Sequence, residues 1–304
     1  MLKTQGYAAL AERAPLVPFS FDRRSLGPHD IHIEILYCGV CHSDLHMVRN
    51  EWGNSIFPMV PGHEILGKVI QVGKSVKRFK PGELAMVGCL VDSCRTCGSC
   101  KKGLQQYCEK GFVLTYNGPE PRNPGKITYG GYSTQIVVDE KFTLKVPKKF
   151  KKNQLPNLAP LVCAGITTYS PLRHWKIGHG TKVGVVGLGG LGHMAIKFAH
   201  AMGAEVVLFT TSKQKIKDGK KLGAQEVILS NQPEVMKKHA GTFDFILNTV
   251  AAPHNLDPFI EQLERDGTMC LVGLPSQHHP SPNVANLIFK RKQLSLLLDR
   301  GELF

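Results

Sequence analysis

Apolar and polar positions follow two different rhythms along this chain. In the first half, the short apolar runs 31–37, 67–72, 83–89 and 135–138 are broken by glycine and proline, which predicts short β-strands. Pro61-Gly62 and Pro81-Gly82 mark turns between them. Beyond a lysine-rich, proline-bearing stretch near residue 150 the rhythm changes. Strands are predicted over 182–186, 205–209, 226–229, 243–247 and 269–272, and helices over 191–202 and 213–222. Such alternation implies a parallel sheet wrapped by helices. The chain therefore reads as an α/β protein, with a β-rich domain over residues 1–150 and a doubly wound parallel-sheet domain over 151–304.

Composition adds limits. At 304 residues the chain exceeds one usual core, and 42% apolar residues suffice to bury two. No apolar run reaches transmembrane length, and residues 1–19 lack the apolar core of a signal peptide, so no membrane partner is expected. Nine cysteines, several at metal-ligand spacing, fit a reducing, cytoplasmic setting. A formal charge of +14 raises the question of nucleic acid. The lysines, such as Lys74, Lys77 and Lys80, are scattered through turns and helix faces, and no aromatic residues interleave with them. A solvated basic surface that draws anionic ligands is the expectation, not a nucleic-acid partner.

Cys94, Cys97, Cys100 and Cys108 are spaced C-x2-C-x2-C-x7-C in a turn-rich segment. Four local thiolates make the closed tetrahedral set that a structural Zn²⁺ prefers. A ferredoxin-type iron–sulfur run places the fourth cysteine after three residues and before a proline. Here seven residues intervene and Glu109 follows. Zinc is the expected ion.

Gly187, Leu188, Gly189, Gly190, Leu191 and Gly192 match G-x-G-x-x-G between a predicted strand and a predicted helix. In that context the first glycine permits a tight turn, the second lets backbone approach a pyrophosphate, and the third lets helix and strand pack closely. A dinucleotide-binding Rossmann unit follows. An NAD site would carry an acid at the end of the second strand, where the ribose 2′-hydroxyl binds. Here the only nearby acid, Glu205, stands at that strand's start, and its end reads Thr210, Thr211, Ser212, Lys213, with Lys215 beyond. Hydroxyls and ammonium groups suit a 2′-phosphate, so NADP(H) is expected. Ser212 could also cap the following helix.

Three further segments carry chemistry: Cys38-Gly39-Val40-Cys41-His42-Ser43-Asp44-Leu45-His46, Pro61-Gly62-His63-Glu64, and Leu161-Val162-Cys163-Ala164-Gly165. Taken singly, Cys163 could be a core residue and His63 a hydrogen-bonded turn residue. Together with the cysteine lobe and the glycine motif, they resemble the zinc-dependent medium-chain alcohol dehydrogenases. The run Gly62-His63-Glu64-x2-Gly67-x5-Gly73-x2-Val76 is similar to that family's zinc signature, and the segments 38–46 and 163–171 are similar to its cinnamyl-alcohol-dehydrogenase branch of NADP-dependent aldehyde reductases.

The resemblance implies a GroES-like first domain, a Rossmann second domain, and two zinc ions per chain. By it, Cys41, His63 and Cys163 would bind a catalytic zinc, with Glu64 adjoining the open position and Asp44 supporting His63. Ser43 would begin a proton relay, continued by His46 or the cofactor ribose, and Thr167 would touch the nicotinamide. Trp52, Ile56 and Phe57 could line an apolar substrate pocket or simply pack in the core, and Cys38, Cys89 and Cys270 read as packing residues. The implied reaction interconverts primary alcohols and aldehydes, chiefly by aldehyde reduction.

The tail departs from the resemblance. After Gln293 the chain reads through Leu296, Leu297 and Leu298 to Phe304. On the family pattern about 40–50 residues, the length of a helix and two or three strands, would follow. A C-terminally shortened chain is the expectation, with 294–298 still able to form the sixth strand and pair in a homodimer. Two other readings stay open: an inactive relative that binds zinc or NADP, and a polyol dehydrogenase of the same superfamily. A zinc-ribbon nucleic-acid binder leaves Cys41, His63, Cys163 and the glycine motif unexplained.

Overall fold

The computed structural model describes residues 1–120 and 122–297. They form two compact units that divide between Cys163 and Ala164. The division lies beyond the expected boundary at 150, because the 3-10 helix Lys152–Val162 packs with the first unit. Its Leu155, Leu158, Ala159 and Val162 close a core with Leu66 and Met86.

The first unit opens with a hairpin of β1 (Leu2–Ala8) and β2 (Val17–Arg23). Then come β3 (Asp30–Cys38), α1 (His42–Val48), β4 (Ile65–Val72) and β5 (Leu84–Val87). A small lobe follows, with β6 (Leu90–Ser93), α2 (Gly98–Lys101) and β7 (Phe112–Leu114), and the unit ends on β8 (Gln135–Asp139) and β9 (Leu144–Lys145). The antiparallel sheet runs β8-β3-β4-β5-β9. Period-two alternation sends Ile31, Ile33, Ile65, Val69, Ala85, Val87, Ile136 and Val138 to one face, where they form a core. Leu66 and Met86 face the other way, and the 3-10 helix covers them.

The second unit opens with α3 (Ala164–His174). It continues with β10 (Lys182–Val186), α4 (Gly190–Ala201), β11 (Glu205–Thr210), α5 (Lys215–Leu222), β12 (Glu226–Leu229), α6 (Pro233–Lys237) and β13 (Phe243–Asn248). The last elements are α7 (Asp257–Ile260), β14 (Leu263–Leu271), α8 (Val284–Ile288) and β15 (Gln293–Leu296). The sheet order is β12-β11-β10-β13-β14-β15, and every pair is parallel. This is the doubly wound order with a reversal between β10 and β13, where such sheets hold ligands. Both faces are buried, so its strands read as continuous apolar runs. Val206 and Leu208 join the core that holds Ala195 and Ile196 of α4, while Val207 and Phe209 join the core that holds Phe259 and Ile260 of α7.

The sixth strand forms at Gln293–Leu296 beside β14. Leu298 and the tail to Phe304 lie outside the described residues. The β1–β2 hairpin and α3 had no expectation attached to them. In β1, Lys3, Gln5 and Gly6 dilute the alternation, and α3 contains Gly165, Pro171 and the β-branched run Ile166-Thr167-Thr168, all poor helix signals.

Candidate functional site

Pairing of β3 with β4 sets Cys38 opposite Ile65, and the amide of Gly39 donates to the carbonyl of Glu64 at 2.9 Å. The end of one strand and the approach to the next therefore run side by side. Register shifts in β3 near His32 and Ile35 mark bulges, devices that re-aim a strand end. Gly39 lets Glu64 lie close: a Cβ on it would lie 2.0 Å from Oε2 of Glu64 and push that side chain aside. The chain then turns into α1, with Cys41 in extended conformation at the cap and Asp44 accepting the Cys41 amide at 3.0 Å. Cys163 arrives at the end of the 3-10 helix.

One ligand atom each from Cys41, His63, Glu64 and Cys163 lie within 4.8 Å of one another. His63 Nε2 is 3.2 Å from Cys163 Sγ, and the Sγ atoms of Cys41 and Cys163 are 3.8 Å apart. His63, Glu64 and Cys163 are buried. The other ring nitrogen of His63, Nδ1, lies 3.3 Å from Asp44 Oδ1. That carboxylate also accepts the Gly62 amide and the Tyr132 hydroxyl, each at 3.0 Å. Burial alone would raise Asp44, but His63 and the Cys41 amide hold it below the usual carboxylate range.

The surroundings of this cluster favour the protonated thiols. The hydrogen bond to Cys163, then burial, pushes the Cys41 thiol up to about 12. At Cys163 the contact with Cys41 is outweighed by Cys89 and by burial, and its thiol also reaches about 12. Burial chiefly raises Glu64 to about 7. Burial opposes charge on His63, yet Asp44 and the two thiols hold it well above the ordinary imidazole value. Two sulfurs, an imidazole nitrogen oriented by a carboxylate, and one more oxygen form the donor set of a catalytic Zn²⁺ site, and the residues fit that ion.

The second cluster lies in the lobe. The four sulfurs of Cys94, Cys97, Cys100 and Cys108 also lie within 4.8 Å of one another. Here the supporting groups are main-chain amides. Thr96 and Cys97 donate to Cys94 Sγ at 3.5 and 3.3 Å, Cys100 to Cys97 Sγ at 3.4 Å, and Cys94 to Cys108 Sγ at 3.4 Å. The Thr96 amide, then that of Cys97, brings the Cys94 thiol down to about 5. Cys97 is lowered too, chiefly by the Cys100 amide. Despite its hydrogen bond to Ser93, Cys100 is pushed up to about 11 by burial and by Cys97. Glu109 accepts the Ser99 amide at 3.0 Å, and Arg95 bonds Asp92 and Asp139, tying the lobe to the end of β8. Four sulfurs cradled by amides fit a structural Zn²⁺.

In the second unit, the geometry calls for glycine at two positions of the loop. Gly187 has φ of +89°, a turn conformation that other residues rarely adopt. A Cβ on Gly192 would lie 2.1 Å from the Gly187 carbonyl, so only glycine permits that approach. Around Gly189 and Gly190, by contrast, the space is open. Leu188 and Leu191 complete the loop at the start of α4, whose first amides have no intrahelical partners and can receive phosphate. Thr211, Lys213 and Lys215 are exposed and Ser212 is half-buried. Lys215 Nζ donates to the Leu188 carbonyl at 2.8 Å, bridging the end of β11 to the glycine loop. Ser212 does not cap α5, which begins after Gln214; its amide instead donates to Thr210 Oγ1 at 3.2 Å.

Of the remaining candidates, Ser43 is half-buried on α1 and Thr167 half-buried on α3, and neither side chain hydrogen-bonds among the described residues. His46 is buried: Nδ1 contacts the Glu51 carboxylate, its ring lies 4.9 Å from that of Trp52, and Nε2 has no partner. No hydrogen bond joins Ser43 to His46 among the described residues. Trp52 and Phe57 pack around Met47, Met59 and Tyr116, whereas Ile56 is exposed. Three neighbours of these groups carry no sequence expectation: Glu51, Tyr116, whose ring stacks on His63 at 5.8 Å, and Tyr132. Glu51, five residues from His46, was reachable by spacing, but nothing local ties Tyr116 or Tyr132 to Asp44.

Residues 27–148 match the alcohol dehydrogenase GroES-like domain family, and residues 190–298 match the zinc-binding dehydrogenase family. The chain is 56% identical to the aldehyde reductase YahK of Escherichia coli over 97% of its own length and 83% of that protein's. It is 47% identical to NADP-dependent alcohol dehydrogenase C 1 of Mycolicibacterium smegmatis, again over 97% of this chain and 83% of the relative. Among solved structures, a cinnamyl alcohol dehydrogenase from Sorghum bicolor superposes with a TM-score of 0.93 at 42% identity, covering 97% of this chain and 83% of that one. The Helicobacter pylori enzyme complexed with NADP(H) superposes with a TM-score of 0.91 at 40% identity, covering 99% and 85%. A GroES-like unit with two sulfur-based donor clusters, a Rossmann unit with its glycine loop, and relatives at this identity place the chain in the zinc-dependent medium-chain alcohol dehydrogenase family.

Proposed function

We propose that this protein interconverts primary alcohols and aldehydes, chiefly by reducing aldehydes, with NADP(H) as the hydride carrier. The observation that carries the reading is the buried meeting of Cys41, His63, Glu64 and Cys163, in a chain similar to an aldehyde reductase and to NADP-dependent alcohol dehydrogenases. When bound, Zn²⁺ supplies a Lewis acid that polarises the carbonyl and the nicotinamide supplies the hydride. The two thiols lose their protons to become ligands, and Asp44 holds His63 so that Nε2 faces the cluster. Glu64 adjoins the same site. Ser43 would give a proton to the reduced oxygen and be resupplied by the cofactor ribose or by His46, which Glu51 orients, although among the described residues no direct hydrogen bond links Ser43 to His46.

In the second unit Gly187 to Gly192 receive the pyrophosphate, Thr211, Ser212, Lys213 and Lys215 receive the 2′-phosphate, and Thr167 faces the nicotinamide. The cysteine lobe holds a second, structural zinc. The edge strand β15, with Leu296 75% and nearby Phe289 85% exposed, supports a homodimer paired along that edge. Nine cysteines, none in a disulfide among the described residues, support a cytoplasmic location, and among those residues no helix is long and apolar enough to cross a membrane. Neither the inactive-relative nor the polyol reading is better supported by these relatives.

The test is oxidation of NADPH by the purified, zinc-supplied chain with an aromatic aldehyde, with NADH alongside. Turnover with NADPH and little with NADH is expected. Soluble, folded protein that turns over neither cofactor removes the enzymatic reading.

A further inference from the structure

Beside the glycine loop, the residues after β13 form a closed hydrogen-bonded turn that none of the roles above uses. Asn248, 1% exposed, ends β13 opposite Val186 at the end of β10. Its Oδ1 accepts the Val250 amide at 3.1 Å. Its Nδ2 must then be the atom that faces His254 Nε2 at 3.0 Å, so that Nε2 is an acceptor. The other ring nitrogen, Nδ1, therefore carries the proton and donates it to the Ala252 carbonyl at 2.8 Å. Both sides of the imidazole are committed, and they are committed as the neutral form.

What this turn holds is the first glycine of the phosphate loop. A Cβ on Gly187 would lie 2.8 Å from Val250 Cγ2, and one on Gly273 would lie 2.6 Å from the Val250 carbonyl. Val250 is thus wedged between the two. Thr249 Oγ1 donates to the Val186 carbonyl at 2.7 Å, and a Cβ on Gly192 would approach that hydroxyl to 3.3 Å. We propose that His254 is a positioning residue of the dinucleotide site: neutral, it latches Asn248, and through Asn248 it holds the Thr249-Val250 turn against the phosphate-binding loop. The proposal rests on the dinucleotide reading of that loop.

Protonation opens the latch. An N–H on His254 Nε2 would point at the Asn248 amide hydrogens, donor against donor. Turning the amide over would satisfy His254 but set the same hydrogens against the Val250 N–H. Either way one hydrogen bond at a buried amide is lost. Burial chiefly, with His279 adding to it against the Ala252 contact, keeps His254 below the ordinary histidine value. The groups packed against the ring are His279, whose ring lies 4.8 Å away and whose Nδ1 is 3.3 Å from the His254 amide, and the uncharged Phe259. Asp257 on α7 is turned to the Asn283 amide. Among the described residues no carboxylate contacts His254 to favour its charge.

The experiment is NADPH binding by the full chain between pH 8 and pH 5, followed by cofactor fluorescence, for the natural protein and for His254→Gln. Glutamine offers an acceptor to Asn248 and does not titrate. At pH 8 the two chains should bind within about twofold of each other. By pH 5 the natural chain should have lost about fivefold relative to the variant, the equivalent of one hydrogen bond. Titration of the 2′-phosphate, and of His193 near the loop, is common to both chains and cancels in the ratio. A ratio that stays constant overturns the latch. A natural chain that does not bind NADPH at pH 8 overturns the dinucleotide reading and the latch with it. A measurement on the natural protein covers a variant that does not fold: the His254 imidazole signal, followed by NMR, should titrate at lower pH when NADPH is saturating, because linkage is reciprocal. An unchanged midpoint overturns the proposal.

Discussion

The two donor clusters of the first unit hold the same number of ligand atoms within the same 4.8 Å, yet they are built in opposite ways. In the lobe, the four sulfurs come from one stretch, 94–108, and the groups that steady them are amides of that same stretch. In the other cluster, Cys41, His63 and Cys163 arrive from three distant segments, and side chains steady them: Asp44, itself held by Tyr132 and by two amides. The protons follow the construction. Amides bring Cys94 down to about 5, whereas burial and thiol neighbours push Cys41 and Cys163 up to about 12. A site whose ligands ionise locally suits a permanent structural ion. A site whose ligands depend on the surrounding fold can leave a position open for chemistry.

Cys163→Ser should separate the clusters most sharply. It should cut NADPH-dependent turnover by at least about 10³-fold, the scale of losing a Lewis acid worth several kcal/mol. Metal analysis should then find one zinc per chain, with the lobe ion retained. Loss of both ions would break the comparison.

Asp44→Asn probes the side-chain support. The amide keeps the shape but turns one acceptor into a donor, facing the Cys41 or Gly62 amide or the Tyr132 hydroxyl. Zinc affinity at Cys41, His63 and Cys163 should fall about 10- to 100-fold in a chelator competition, with the lobe unaffected.

The pH response of zinc binding should be steeper at Cys41, His63 and Cys163 than in the lobe. With Cys41 and Cys163 at about 12 and His63 held well above the ordinary imidazole value, zinc must displace protons from all three ligands, and its affinity falls as pH drops. In the lobe Cys94, lowered from 9.0 to about 5, is already thiolate at neutral pH, while Cys100, at about 11, still has a proton to lose. The amide bonds to Cys94 stabilise the folded lobe above pH 9.0, and that contribution is lost as pH falls through about 5. Zinc loading titrated at pH 6, 7 and 8 should show the steeper slope at Cys163, read from the difference between the natural chain and Cys163→Ser. Equal slopes would show that the amides of the lobe do not matter.

Cys97→Ser should have the smallest effect on chemistry. It should empty the lobe and lower the thermal unfolding midpoint by roughly 5–10 °C. Turnover per folded molecule should change less than about twofold. A collapse of turnover would mean that the lobe supports the other cluster directly.

Much of this architecture is legible in the linear chain because it is local. The strand Lys182–Val186 falls where the apolar run places it, since a parallel strand buried on both faces has to be apolar throughout. The lobe spacing and the glycine loop are equally local. Where a signal depends on partners, it fades. The α3 helix, with Pro171 and its β-branched run, forms in spite of its propensities. The hairpin Leu2–Ala8 with Val17–Arg23 has few apolar residues to announce it. Tyr116 and Tyr132 lie far along the chain from the histidine and carboxylate they surround.

By itself the sequence determined the donor types, the glycine positions, the lack of an acid at the end of β11 and the alternation of strands and helices. Each of these is a property of neighbours a few residues apart, where backbone geometry and ligand spacing leave little choice. Tertiary structure decided which distant residues met. It set Asp44 beside His63, brought the Tyr132 hydroxyl to Asp44, and drew Lys215 to the Leu188 carbonyl. Those contacts depend on sheet register and on what each strand end is packed against, and the physical reason is that buried polar groups must find partners wherever the fold brings them.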